Sequence, residues 1–175
     1  MNIKEYQINA ARTCADLGSK TNNLFHMNLG IHTEVGELLD IYKKKMAYGK
    51  EIDIVHLTEE LGDICFYLAN KDTFKDVVYL EDQIDLVKLE EDITQENFDE
   101  IGEGIFITWL EHGLFSRVEY WIQIYMTCRI FNIDFEQMLE ININKLKARY
   151  PEKFTQEAAL NRDLDAERTV LENGN

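Results

Sequence analysis

LFHMNLGIHTEVGELLDIYKKKMAYGKEIDIVHLTEELGDICFYL, residues 24–68, is the stretch whose reading decides the fold. Its apolar residues recur at helical spacing, and Tyr48-Gly49-Lys50 interrupts them. The spacing predicts one long helix from about Leu24 to Met46 and another from near Asp53, carrying Leu57, Leu61, Ile64, Cys65 and Leu68. Two short strings in it echo each other, Glu34-Val35-Gly36-Glu37 and Glu60-Leu61-Gly62-Asp63. Each sets two carboxylates three residues apart, on one helix face. The two pairs are symmetric about the Tyr48–Gly49 junction. If the helices fold back antiparallel there, Glu34 lies level with Asp63 and Glu37 with Glu60, so four carboxylates face one another. Gly36 and Gly62 fit a close approach of the helices, since a mid-helix glycine costs about 1 kcal/mol relative to alanine.

Such a tetrad must be neutralised by protons or by a metal, because two like charges about 4 Å apart repel by about 4 kcal/mol at an effective dielectric near 20. Oxygen-only ligation suits Mg²⁺, with Mn²⁺ as a substitute. The competing reading is four unrelated surface acids, for the same spacing recurs at Asp82/Asp85 and Glu100/Glu103. Other site types fit poorly. None of His26, His32, His56 or His112 has a glutamate three residues before it, as a di-iron bundle requires. Gly18-Ser19-Lys20-Thr21 lacks the glycine of a phosphate loop at position 13, which is Thr, and no strand precedes it.

Outward from this hairpin, a single proline and nine glycines in 175 residues leave too little turn punctuation for an all-β fold. The expectation is an all-α bundle, a single domain over 1–175 with an insertion at about 72–114 and a tail at about 152–175. A first helix is predicted over Ile3–Leu17. Ser116 and Glu119 form a capping-box signature ahead of an apolar stretch to Phe131, and Asp134 and Pro151 bracket a last long helix. Residues 72–103 hold twelve acids against Lys75 and Lys88, and Gly102-Glu103-Gly104 reads as a turn after them.

The formal charge is −15, from 18 Lys and Arg against 33 Asp and Glu, so phosphate backbones and anionic membranes are repelled and a cation is the expected companion. No nucleic-acid or membrane partner is expected. Three dispersed cysteines, no signal-peptide pattern and no long apolar run suit a reducing cytoplasm. Lys43, Lys44 and Lys45 follow the first carboxylate pair, where they also complement a helix dipole. Asn142, Lys145 and Arg149 share one face of the last helix, and either receive an anionic substrate or solvate the helix end. Phe25, Tyr67 and Trp109 are candidates to stack on a ring, with core packing as the alternative. The stretch Tyr120–Met126 is apolar around most of its circumference, which predicts burial against a second subunit.

Together these residues resemble the MazG-like family of all-α nucleoside triphosphate pyrophosphohydrolases, over roughly residues 3–71 and 115–170. The carrying motifs are Glu34-x-x-Glu37 followed by Glu60-x-x-Asp63, the wording around them, and Asn142-Ile-Asn-Lys-Leu-Lys-Ala-Arg-Tyr-Pro151. Tyr6-Gln7 and Arg12-Thr13 also match its single-domain phage and bacterial members. The resemblance implies Mg²⁺-dependent cleavage of a (d)NTP between the α- and β-phosphates, giving (d)NMP and pyrophosphate. It implies that Glu34, Glu37, Glu60 and Asp63 hold the metal and serve catalysis, and that Asn142, Lys145, Arg149 and Tyr150 face the phosphates. It further implies a homodimer or dimer of dimers. Related dimeric all-α dUTPases share the metal motif, which keeps dUTP among the substrates. The long acidic insertion departs from the compact family core. The alternative reading is a non-catalytic acidic interaction protein, such as a DNA mimic acting through the 72–103 surface.

Overall fold

The computed structural model describes residues 1–77, 98–111, 113 and 115–174, with the backbone alone for 98–103. Among these residues there are eight helices and no strand: α1 (Ile3–Ala11), α2 (Lys20–Tyr48), α3 (Ile54–Phe74), α4 (Phe98–Leu110), α5 (Arg117–Ile130), α6 (Phe135–Arg149), α7 (Gln156–Leu160) and α8 (Leu164–Asn173). The acidic stretch from 78 to 97, with Asp82/Asp85, lies outside the described residues, as do His112 and the side chains of Glu100 and Glu103.

The predicted hairpin forms. Gly49 closes α2 in the left-handed region at φ 63°, where glycine carries no Cβ penalty. The Asp53 side chain then accepts from His56 N at 3.1 Å and opens α3. Helix α3 is the centre of the bundle and packs against α1, α2, α5, α6 and α8. Val35 and Leu38 of α2 meet Leu57, Leu61, Ile64 and Leu68 of α3 in a core completed by Tyr6, Trp121, Ile124, Leu139 and Ile143. Phe106 of α4 stacks on Tyr42 of α2, with rings 4.4 Å apart and 2° from parallel. Ser116/Glu119 forms the full capping box, and Asp134 caps α6.

Three expectations need correction. Helix α1 ends at Ala11 and not near Leu17, because side chains compete for the backbone beyond it. Thr13 Oγ1 donates to Ala10 O, Asp16 accepts from Gly18 N, and Asn23 accepts from Leu17 N. Helix α2 begins four residues earlier than predicted, since Ser19 caps it by accepting from Asn22 N. The turn at Gly102-Glu103-Gly104 is absent: α4 runs through it, and Ile105, Phe106 and Trp109 beyond it belong to the core. Tyr120, Trp121, Gln123, Ile124 and Tyr125 are buried within one chain, which accounts for the apolar character of this stretch without reference to a second subunit. It is apolar all round because α5 sits between α3, α4 and α6.

The glycines divide as well. A Cβ on Gly62 would meet Asn142 Nδ2 at 2.9 Å, so its close approach is to α6 and not to α2. Gly36 faces open space. Gly30 of α2 leaves room for the Tyr67 ring of α3, which a Cβ there would overlap.

Candidate metal centre

Glu34 of α2 and Glu60 and Asp63 of α3 converge, each offering a carboxylate oxygen within 4.8 Å of the others. The hairpin places them, through the symmetric spacing of the two strings. Glu37 is exposed and lines the same cavity, outside this cluster.

Electrostatics sets the state of the triad. Glu60 is only 7% exposed. Burial first, then the charges of Asp63 and Glu34, push its carboxyl from 4.5 up to about 9. Burial and Asp63 also raise Glu34, and the two glutamates are hydrogen-bonded to each other. A proton held at this pair would do the neutralising that a cation would otherwise do. His56 Nε2 lies 2.9 Å from Glu60 Oε1 on the outer side.

Asp63 is held from the other direction by α6. Lys145, 1% exposed, donates Nζ to both Asp63 oxygens at 2.6 Å and to Glu59 Oε1 at 3.3 Å. Asn142 Nδ2 donates to Asp63 Oδ1 at 2.7 Å, and its own Oδ1 accepts from Tyr6 Oη at 2.7 Å. A carboxylate offers about four lone-pair sites, so these three bonds leave Asp63 one, on Oδ2. The donor set of two glutamates and one Asp63 oxygen is small, hard and oxygen-only, and it fits Mg²⁺ or Mn²⁺ with water or ligand oxygens completing the shell.

The triad forms one wall of a cavity of about 340 Å³, within the range of small-molecule sites. Glu37 and Glu59 extend the acidic wall. Arg149 and Arg162 stand among the other lining residues, and Phe66, Tyr67, Tyr150 and Phe154 supply aromatic surface. Thr13, Cys14 and Ala15 complete it, which they can do because α1 stops short. Burial pushes the Cys14 thiol up to about 12, so it is no nucleophile at neutral pH.

Of the four residues expected to face phosphates, Arg149 and Tyr150 line this cavity, while Asn142 and Lys145 spend their donors on Asp63. Among the ring candidates, Tyr67 lines the cavity, Phe25 is exposed, and Trp109 is buried with Nε1 donating to Thr127 Oγ1 at 3.0 Å. Lys43 and Lys44 pair with Asp40 on their own helix.

Sequence reasoning missed Glu59 as the second partner of Lys145, and it missed Arg162 and Glu167 of the tail. The N-cap signals Thr155 and Asp163 were available for α7 and α8. Nothing local ties Glu167 to Arg149, eighteen positions earlier. The chain matches no family model, no curated protein and no solved structure; among the described residues it is an all-α helical protein with a half-buried acidic triad whose geometry could hold a metal ion.

Proposed function

We propose that this protein is a Mg²⁺-dependent nucleotide pyrophosphohydrolase of the MazG-like kind, cleaving a (d)NTP between its α- and β-phosphates. The observation that carries the reading is the convergence of Glu34, Glu60 and Asp63 in a cavity that also presents Arg149 and aromatic rings. An acidic wall alone would repel a nucleotide, and a basic wall alone would hold no metal. Both in one cavity suit a metal–polyphosphate. Mg²⁺, when bound, supplies Lewis-acid polarisation of phosphoryl oxygens. The chain's own residues do the rest. Glu34, Glu60 and Oδ2 of Asp63 hold the cation, and Lys145 and Asn142 fix the Asp63 carboxylate so that its open site points one way. Arg149 faces the charge that develops on the departing pyrophosphate. Tyr67 and Tyr150 offer flat surface to the base.

In the reaction, a water oxygen bonds to the α-phosphorus and gives up a proton to solvent, the bond from that phosphorus to the α–β bridging oxygen breaks, and pyrophosphate leaves with the electron pair. The test is hydrolysis of a panel of canonical and modified dNTPs with Mg²⁺ in ¹⁸O-labelled water, read by phosphorus NMR. The expected products are pyrophosphate and a monophosphate carrying the label. Label in pyrophosphate, orthophosphate as first product, or no turnover of any nucleotide with Mg²⁺ or Mn²⁺ would overturn the reading.

A further inference from the structure

Glu167 on α8 is 3% exposed, yet it is fully ionised, because its bonds to Arg149 and Arg162 overcome the cost of burial and hold the carboxyl at about 2. It takes two guanidinium groups at once. Arg149 donates through Nε at 2.8 Å and through Nη2, and Arg162 through Nε at 3.4 Å and Nη2 at 2.7 Å. One carboxylate neutralises one of these cations, so the trio keeps a net positive charge, and both arginines line the metal-side cavity. Nη1 of Arg162 makes no hydrogen bond among the described residues, since both bonds of that group go to Glu167 through Nε and Nη2. A guanidinium edge next to a carboxylate-rich wall, rigidly held and unused, is suited to bidentate contact with phosphate oxygens.

Depth orders the cations. Lys145 touches Asp63 itself, Arg149 lies about 6 Å farther along α6 at 1.5 Å per residue, and Arg162 approaches from the tail. The Arg149 side chain is 16% exposed and that of Arg162 is 41% exposed, so Arg162 stands nearest the mouth. We propose that Arg162, carried by the C-terminal tail and held by Glu167, binds the outermost phosphate and makes the cavity selective for triphosphates over diphosphates. The assignment rests on the metal–polyphosphate reading above and adds to it the residue, outside the family-like motifs, that tells a triphosphate from a diphosphate.

The test uses two inorganic probes, tripolyphosphate and pyrophosphate, titrated calorimetrically with Mg²⁺ present into the full chain. The parent is expected to bind tripolyphosphate more tightly. Arg162→Ala should lose about tenfold on tripolyphosphate, the size of one charge-assisted hydrogen bond, and less than about twofold on pyrophosphate. Arg162→Lys should recover part of the loss, because it restores charge without the fork. Arg168→Ala is the control: Arg168 lies on α8 beside Glu167, pairs with Glu172 and Asp53, and should leave both affinities as in the parent. Melting curves establish that each variant is folded, and the ratio of the two affinities is a readout that a purely structural loss would not move. Parent-like ratios in Arg162→Ala, equal weakening of both probes, or failure of the parent to bind either would overturn the assignment. If the parent still converts a dNTP to dNMP and pyrophosphate, only the assignment has failed. If no Mg²⁺-dependent hydrolysis occurs, the reading beneath it has failed too.

Discussion

Asp63 holds a buried lysine and offers the triad one oxygen, and the two duties separate under substitution. Four mutually repelling acids alone would make Asp63→Asn harmless or stabilising. Lys145 reverses that sign: the substitution leaves a 1% exposed ammonium with Glu59 alone. Breaking a buried pair costs about 3–5 kcal/mol, and the low end applies here because the Asp63 side chain is a quarter exposed. Glu60→Gln should behave differently. Glu60 already carries a proton at neutral pH, so the neutral isostere should shift stability by no more than about 1 kcal/mol while abolishing the Mg²⁺-induced rise in melting temperature. Urea denaturation of both variants, with and without Mg²⁺, checks the pair; equal losses would mean that Asp63 and Glu60 do not divide their roles in this way. The carboxylates were legible in the sequence because helical spacing is a local property. Lys145 was legible as a residue but not as a partner, since its contacts with Glu59 and Asp63 span more than eighty positions.

At the scale of the element, the glycines of the two strings are tests of opposite sign. Gly36 faces open space, so Gly36→Ala should stabilise α2 by about 0.5–1 kcal/mol through helix propensity. Gly62→Ala would drive a methyl into Asn142, which Tyr6 and Asp63 hold in place, and should cost about 1–3 kcal/mol. Thermal melts compare them, and destabilisation by both would indicate a partner packed closely over Gly36. Sequence pattern could not separate the two, because it shows that a helix has a gap and not what fills it. The caps at Asp53, Ser116 and Asp134 were readable for the opposite reason, since a cap acts within four residues. Of the tail helices, α7 has only five residues, too short for a periodic signal, whereas the ten residues of α8 carry an amphipathic pattern behind the N-cap Asp163 and were legible in principle. Helix α8 nonetheless brings Glu167 to the cavity's arginines.

For the whole molecule, no helix among the described residues is long and apolar enough to cross a membrane. The homodimer is a proposal carried by the family resemblance; with most of Tyr120–Met126 buried inside one chain, Phe25 and Leu29, among the exposed apolar residues of α2, offer a surface for it. A metal at the proposed site would compete with a proton for Glu34 and Glu60. Both carboxyls bind a proton more tightly in the folded chain than in the unfolded one. Their stabilising protonation is therefore fully present below the ordinary carboxyl range and is lost as pH climbs from 4.5 through about 9 for Glu60. Each extra proton held by the fold steepens that decline by about 1.4 kcal/mol per pH unit. A cation that replaces the proton stabilises by mass action, and does so more strongly where the proton is weakly held. The most direct measurement is the melting temperature between pH 6 and 9, with and without Mg²⁺. The metal-free protein should lose stability across this range, and the Mg²⁺-induced rise should grow with pH. No Mg²⁺ response at any pH, or a rise of the same size throughout, would contradict a metal centre at Glu34, Glu60 and Asp63.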